Sequence, residues 1–192
     1  MKYVIVGGVA AGASAAARLR RLDEKAEIVL FEKGAEISYA NCGLPYHIGG
    51  VIKDRARLSV MPPEKFAAWF NADVRTRSEV VTIDRAAKRV AVRGPAGDYA
   101  ESYDRLLLAT GATPAGDAYS DAEHPRVAHL WTIADMDRVL AKLGSARKVV
   151  VVGAGFIGVE LVENLVARGL EVVLVQRGGH VLPIFDREMA QP

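Results

Sequence analysis

Lys2-Tyr3-Val4-Ile5-Val6-Gly7-Gly8-Val9-Ala10-Ala11-Gly12 runs from an apolar stretch straight into a cluster of glycines. Residues 13–22 follow, rich in the strong helix formers Ala, Leu and Arg, and Glu27–Phe31 is a second β-rich run. Strand, glycine turn, helix and strand within about 30 residues form a βαβ unit, the connection that neighbouring parallel strands require. The texture returns later: a strand at 149–152, the turn Gly153-Ala154-Gly155-Phe156-Ile157-Gly158, a helix over 159–168 and a strand over Glu171–Val175. The fold class expected is α/β, three-layered, with two Rossmann-like nucleotide-binding units. The repetition implies two nucleotide sites, or one site and one relic.

Between the copies, residues 73–93 alternate in places, with a turn at 84–87, and predict a β-meander or hairpin. Residues 103–110 form an apolar strand ending in Ala109-Thr110-Gly111. The Ala-, Asp-, Gly- and Pro-rich stretch 111–125 reads as a linker. Thr132, with Asp135 three residues on, resembles a capping box opening a helix that reaches residue 143. The second unit holds two strands where a doubly wound domain has five or six, so the chain is expected to be part of a longer protein; a small domain with a sparse sheet is the alternative.

The second turn carries the full G-x-G-x-x-G pattern in Gly153, Gly155 and Gly158. The first glycine turns the chain, the second lets backbone approach a pyrophosphate, and the third lets the helix pack on the strand. Free N–H groups at the helix start then meet the phosphates. The first turn departs from this, with Val9 where the middle glycine belongs and Gly8 beside it. Glu32 ends the next strand, 20 residues after Gly12, where a carboxylate accepts hydrogen bonds from ribose hydroxyls; a solvated strand-end charge is the other reading. The second unit has Gln176 and Arg177 there, which leaves both NADPH and NADH open.

A composition of 51% hydrophobic and 25% charged residues suits a globular chain with a sizeable core. A formal charge of +2 argues for neither nucleic acid nor a membrane surface as partner, and no apolar run approaches the roughly 18–20 residues of a membrane helix. One cysteine excludes an internal disulfide framework and makes a cytoplasmic, reducing setting the default. His47, His124, His129 and His180 lack metal-ligand spacing, so no metal site is expected, and Trp69 and Trp131 read as packing residues.

The cysteine lies in Ser38-Tyr39-Ala40-Asn41-Cys42-Gly43-Leu44-Pro45-Tyr46. Asn41 is a good N-cap and Pro45 fits a first helical turn, which places Cys42 at a helix N-terminus, where the dipole favours a thiolate. Buried core filler is the alternative.

With residues 7–21, 38–46, 103–111 and 153–160 read together, the chain resembles the pyridine nucleotide-disulfide oxidoreductase family. The pattern fits its single-cysteine branch, with coenzyme A-disulfide reductases and persulfide or polysulfide reductases. The resemblance implies an FAD segment at 1–111, a linker and helix at 112–145, the start of an NAD(P)H domain at 146–192, and a homodimer for the full-length protein. FAD would contact Gly7, Gly8, Ala11, Gly12, Glu32 and Lys33, together with Val80, Ala109, Thr110 and Gly111. NAD(P)H would contact Gly153, Gly155, Phe156, Ile157 and Gly158, together with Glu160, Gln176 and Arg177.

The family also places coenzyme A beside the first helix. There Ser14, Arg18 and Arg21 fall at i, i+4 and i+7 on one face, with Ser38 and Asn41 near the thiol. The two arginines otherwise serve the helix C-terminus and solvent. Two-cysteine members carry a second cysteine where His47 stands, so Cys42, the implied catalytic residue, has to pair with an outside sulfur or form a sulfenic acid. Related peroxidases carry a histidine where Ala10 stands. The implied activity is NAD(P)H-driven reduction of coenzyme A disulfide or a related persulfide or polysulfide. An NADH oxidase using a Cys42 sulfenate, a flavin electron carrier with Cys42 idle, and an inactive cofactor-binding remnant are the alternatives.

Overall fold

The computed structural model describes residues 1–114 and 124–190. Residues 115–123 of the expected linker lie outside the described residues. The described chain divides into two compact units, each discontinuous in sequence.

The first unit comprises Met1–Tyr39 and Ser59–Ala112. Strand β1 (Lys2–Val6), helix α1 (Ala10–Leu22) and strand β2 (Glu27–Phe31) form the βαβ unit read from the sequence. Helix α1 begins three residues before the expected start. The third glycine of the turn is already helical, because it is the position that faces the strand. Strand β3 (Asp73–Arg75) joins the same parallel sheet beyond β2, so Asp73 does not open the meander. Within the second half of this unit the meander itself has three antiparallel strands, β4 (Glu79–Asp84), β5 (Arg89–Gly94) and β6 (Gly97–Ser102). Strand β7 (Arg105–Leu108) completes the parallel sheet, whose order is β3-β2-β1-β7.

The period of two in β1 and β2 sets the layers. Ile5, Ile28 and Leu30 point to one face and meet Ala13 and Ala16 of α1 and Phe66 of a short helix, Pro63–Phe70. Val4, Val29 and Phe31 point to the other and meet Val90 and Val92 of β5. These side chains are almost fully buried, and each Val, Ile, Leu or Phe among them contributes about 1.5–3 kcal/mol. A one-residue slip would turn both faces inside out.

The meander is also tied to the sheet by charge. The Arg75 guanidinium lies over the rings of both Phe31 and Tyr99, 5.4 and 5.5 Å from their centroids, and reaches Glu101 at 2.6 Å. Glu101 accepts from Lys2 as well, at 2.7 Å. Burial works against the charge on Glu101, but the hydrogen bonds from Lys2 and Arg75 outweigh it and hold its carboxyl below the ordinary value.

The second unit joins Ala40–Leu58 to the described residues from Thr113 onward. Strands β8 (Lys148–Val152) and β9 (Glu171–Val175) pair in parallel around a helix at Phe156–Ala167. The helix at Ile133–Leu143 opens with the full capping box: Asp135 N–H donates to Thr132 Oγ1 at 3.2 Å, and Thr132 N–H to Asp135 Oδ2 at 2.7 Å. A short helix at Leu44–Ile48 packs against both of these. Arg168 donates to the carbonyl of Ile48 at 2.7 Å, and Gly49 lies so close to buried Asn164 that a side chain would not fit. Arg55 grips the Asp137 carboxylate at 2.8–3.2 Å, and that hydrogen bonding lowers the Asp137 pKa. Numbering the helices in chain order, Leu44–Ile48 is α2, Pro63–Phe70 α3, Ile133–Leu143 α4 and Phe156–Ala167 α5. No helix among the described residues is long and apolar enough to cross a membrane.

Candidate functional site

The first glycine turn is shaped by contacts that leave no room for a side chain. Gly7 has φ +103°, and a Cβ there would overlap the carbonyl of Ala109. A Cβ on Gly12 would overlap the carbonyl of Gly7. At Gly8 a Cβ would lie 2.6 Å from Ile37 Cγ2, so this glycine serves packing. Val9 occupies the cap position of α1, and no side chain caps the helix, whereas α4 is fully capped. The first-turn N–H groups of α1 therefore stay available to a ligand, with Ala11 exposed beside them.

Glu32 holds the turn from below. Its Oε2 accepts from Gly8 N–H at 2.8 Å and its Oε1 from Gly34 N–H at 2.7 Å. Each carboxylate oxygen has a second lone pair, so the group retains acceptor capacity for ribose hydroxyls. Lys33, Thr110 and Gly111 are exposed. Val80 is different: it packs against the core formed by Val4, Val29 and Phe31 on the meander side.

A cavity of about 460 Å³ opens against α1. Ser14, Arg18, Arg21 and Ser38 all line it, as the helical spacing predicts, with Ala13 and Ala17 forming its floor. Tyr39 and Val60 line it too. Sequence reasoning missed both, although Tyr39 sits within the cysteine segment. The chain reaches this cavity through Ser38, held at φ +46° with its N–H on the carbonyl of Gly8 at 2.9 Å. Arg18 and Arg21 make no hydrogen bond or ion pair among the described residues. Their neighbour Arg20 ties down the helix end: its guanidinium donates to the carbonyls of Phe70, Asp23, Glu24, Ala26 and Asn71 at 2.6–3.2 Å. Asn41 does not line the cavity.

In the second unit, Cys42 is exposed. Its neighbours explain why: Gly43, Leu44 and Pro45 are buried, and a Cβ on Gly43 would lie 2.8 Å from Leu58 Cδ2. The expected N-cap geometry is corrected here. Asn41–Gly43 is a 3₁₀ turn, Asn41 caps nothing, and α2 begins at Leu44. The reason is Pro45, which has no N–H for the Asn41 carbonyl; Leu44 N–H bonds that carbonyl instead and tightens the turn. Among the described residues, His, Cys, Asp and Glu form no group of three able to hold a metal.

The second glycine turn repeats the first. Gly153 has φ +102°, its N–H donates to Val175 at 2.8 Å, and a Cβ on Gly158 would overlap the Gly153 carbonyl. Gly155, the cap residue of uncapped α5, faces open space, which a pyrophosphate can fill. Ala154 N–H donates to Gln176 Oε1 at 3.1 Å. Phe156 and Ile157 are exposed, Glu160 is half-buried on α5, and Arg177 is exposed.

Residues 1–192 match the family described as pyridine nucleotide-disulphide oxidoreductase. A coenzyme A disulfide reductase of Staphylococcus aureus (strain JH9) is 38% identical over 195 residues, covering 100% of this chain and 44% of that protein. The crystal structure of reduced Bacillus anthracis CoADR-RHD is 47% identical, with a TM-score of 0.93 over 98% of this chain and 35% of that one. A NAD-dependent persulfide reductase from A. fulgidus is 36% identical, with a TM-score of 0.94 over 99% of this chain and 37% of that one. The chain thus spans under half the length of these relatives.

Proposed function

Because the chain belongs to the pyridine nucleotide-disulphide oxidoreductase family, we propose that it is the cofactor- and thiol-bearing part of an NAD(P)H-dependent reductase of coenzyme A disulfide or a related persulfide or polysulfide. The observation that carries this reading is Cys42, the chain's single cysteine, exposed to solvent while Gly43, Leu44 and Pro45 directly after it are buried. The relatives named coenzyme A disulfide reductase and persulfide reductase support the substrate class.

In this reading residues 1–111 supply an FAD segment, 112–145 a linker and helix, and 146–192 the start of an NAD(P)H domain. The first turn holds FAD, with the N–H groups opening α1 at the pyrophosphate and Glu32 at the ribose. The second turn holds NAD(P)H in the same manner. When bound, these groups relay two electrons from nicotinamide to sulfur. The chain's own part is the thiol exchange. The Cys42 thiolate attacks one sulfur of the substrate disulfide, a Cys42–sulfur bond forms as the substrate S–S bond breaks, and one thiolate leaves and takes a proton. Two electrons and a proton then cleave the mixed disulfide, releasing the second thiol and restoring the Cys42 thiolate. Arg18 and Arg21, both without a hydrogen-bond or ion-pair partner among the described residues, are suited to the phosphates of coenzyme A, with Ser14 and Ser38 as polar contacts. Asn41 contributes beside the thiol. The protein would act in the cytoplasm as a homodimer.

Cys42→Ser is expected to lower coenzyme A disulfide reduction by about a thousandfold or more, with flavin absorbance unchanged. Mass spectrometry of the native protein is expected to show a coenzyme A adduct on Cys42. A Ser variant that reduces the disulfide at the normal rate would overturn the proposal.

A further inference from the structure

The two strand ends that follow the glycine turns do the same local job with opposite chemistry. Glu32 receives Gly8 N–H, and Gln176 receives the equivalent Ala154 N–H. That bond fixes how the amide faces: Oε1 is turned to the backbone, and both Nε2 hydrogens are left to donate. Glu32 presents acceptors and negative charge where Gln176 presents a neutral donor. The next residue, Arg177, is exposed and makes no hydrogen bond or ion pair among the described residues. Gly179, two positions on, faces open space.

Resting on the reading of the second turn as a dinucleotide site, we infer that this site selects the 2′-phosphorylated nucleotide, with Arg177 and Gln176 as the specificity-determining residues. A 2′-phosphate offers three acceptor oxygens and negative charge. The Gln176 amide donates to one of these, and the Arg177 guanidinium supplies a planar fork of further donors with the compensating charge. A carboxylate at position 176 would repel that phosphate and favour the two free hydroxyls of an unphosphorylated ribose.

The test is calorimetric titration of the protein with 2′,5′-ADP and with 5′-AMP, which share the adenosine and differ in the 2′-phosphate. The expected result is that 2′,5′-ADP binds at least about tenfold tighter. Arg177→Ala is expected to cut the ratio of the two affinities by about tenfold to a hundredfold, the worth of charged hydrogen bonds. Gln176→Glu is expected to move the ratio the same way, and it keeps the Ala154 bond because a carboxylate accepts that N–H as Glu32 does for Gly8. Equal binding of the two ligands, or a ratio unmoved by Arg177→Ala, overturns the selectivity and leaves the nucleotide site standing. Binding of neither ligand overturns the reading of the second turn itself, and the selectivity falls with it.

Discussion

The two glycine turns are near copies in backbone, yet they sit in different surroundings. Gly7 and Gly153 have φ values of +103° and +102°, and Gly12 and Gly158 each touch the carbonyl of the first glycine. Even the ion pair at the strand start repeats, Lys2 with Glu27 at 2.8 Å and Lys148 with Glu171 at 2.7 Å. What differs is the cover. The first unit closes Gly7 under Ala109 and Lys2 under Glu101; in the second, Gly153 faces open space and Lys148 is exposed. A backbone motif therefore fixes a turn, and the layers packed over it decide how much each residue matters.

Replacing the first glycine of each turn is the severest way to break this comparison. Gly7→Ala is expected to destabilise by about 4 kcal/mol, combining left-handed strain with the clash against Ala109. Gly153→Ala meets the strain alone and is expected to cost about 1–2 kcal/mol. Hydrogen exchange at the β1 and β8 amides reads the two units separately. Equal losses would show that the cover is irrelevant.

A smaller effect is expected at Glu32. Two backbone N–H groups converge on its carboxylate, and Glu32→Gln leaves one of them facing an NH₂ group. The expected loss is about 1–3 kcal/mol of stability, with less flavin retained on purification, measured by urea unfolding and by the absorbance ratio. Full flavin content at unchanged stability would remove Glu32 from the site.

The strand-start lysines give the smallest difference. Lys148→Ala, at an exposed pair, is expected to cost at most about 0.5 kcal/mol, and Lys2→Ala, which deprives largely buried Glu101 of a partner, about 1–2 kcal/mol. The same pair gives a pH dependence of known sign. The Glu101 carboxyl titrates below its ordinary value of 4.5 in the folded state, so its contribution is present above that value. The contribution is lost as the pH falls through the lower, folded value. Glu101→Gln is expected to flatten this acid limb in urea midpoints taken between about pH 3 and pH 6. An unchanged acid limb would place the sensitivity elsewhere.

Much of the frame was legible in the chain itself. The apolar run Lys2–Val6 and the β-rich run Glu27–Phe31 mark both strands to the residue, and Thr132 with Asp135 marks the start of α4. The helix Pro63–Phe70 is legible only in Pro62-Pro63-Glu64, the proline signature of a helix start. Strand β3 joins the parallel sheet and not the expected meander, because three residues are too few for periodicity to show which sheet they join. In the candidate site, the i, i+4, i+7 spacing of Ser14, Arg18 and Arg21 placed all three on one cavity wall. Tyr39 and Val60 reach that wall from distant segments, which no spacing rule connects.

By itself the sequence determined the two turns, the single thiol and the face of α1 that carries Arg18 and Arg21, because each is a local pattern with a local physical cause. Only the tertiary structure decided that Arg20, and not its neighbours, ties down the helix end. It also decided that Asn41 opens a 3₁₀ turn, that Val80 packs against the core, and that Glu32 and Gln176 brace equivalent backbone groups. Those outcomes depend on which distant carbonyls and N–H groups arrive at each side chain, and only long-range packing brings them there.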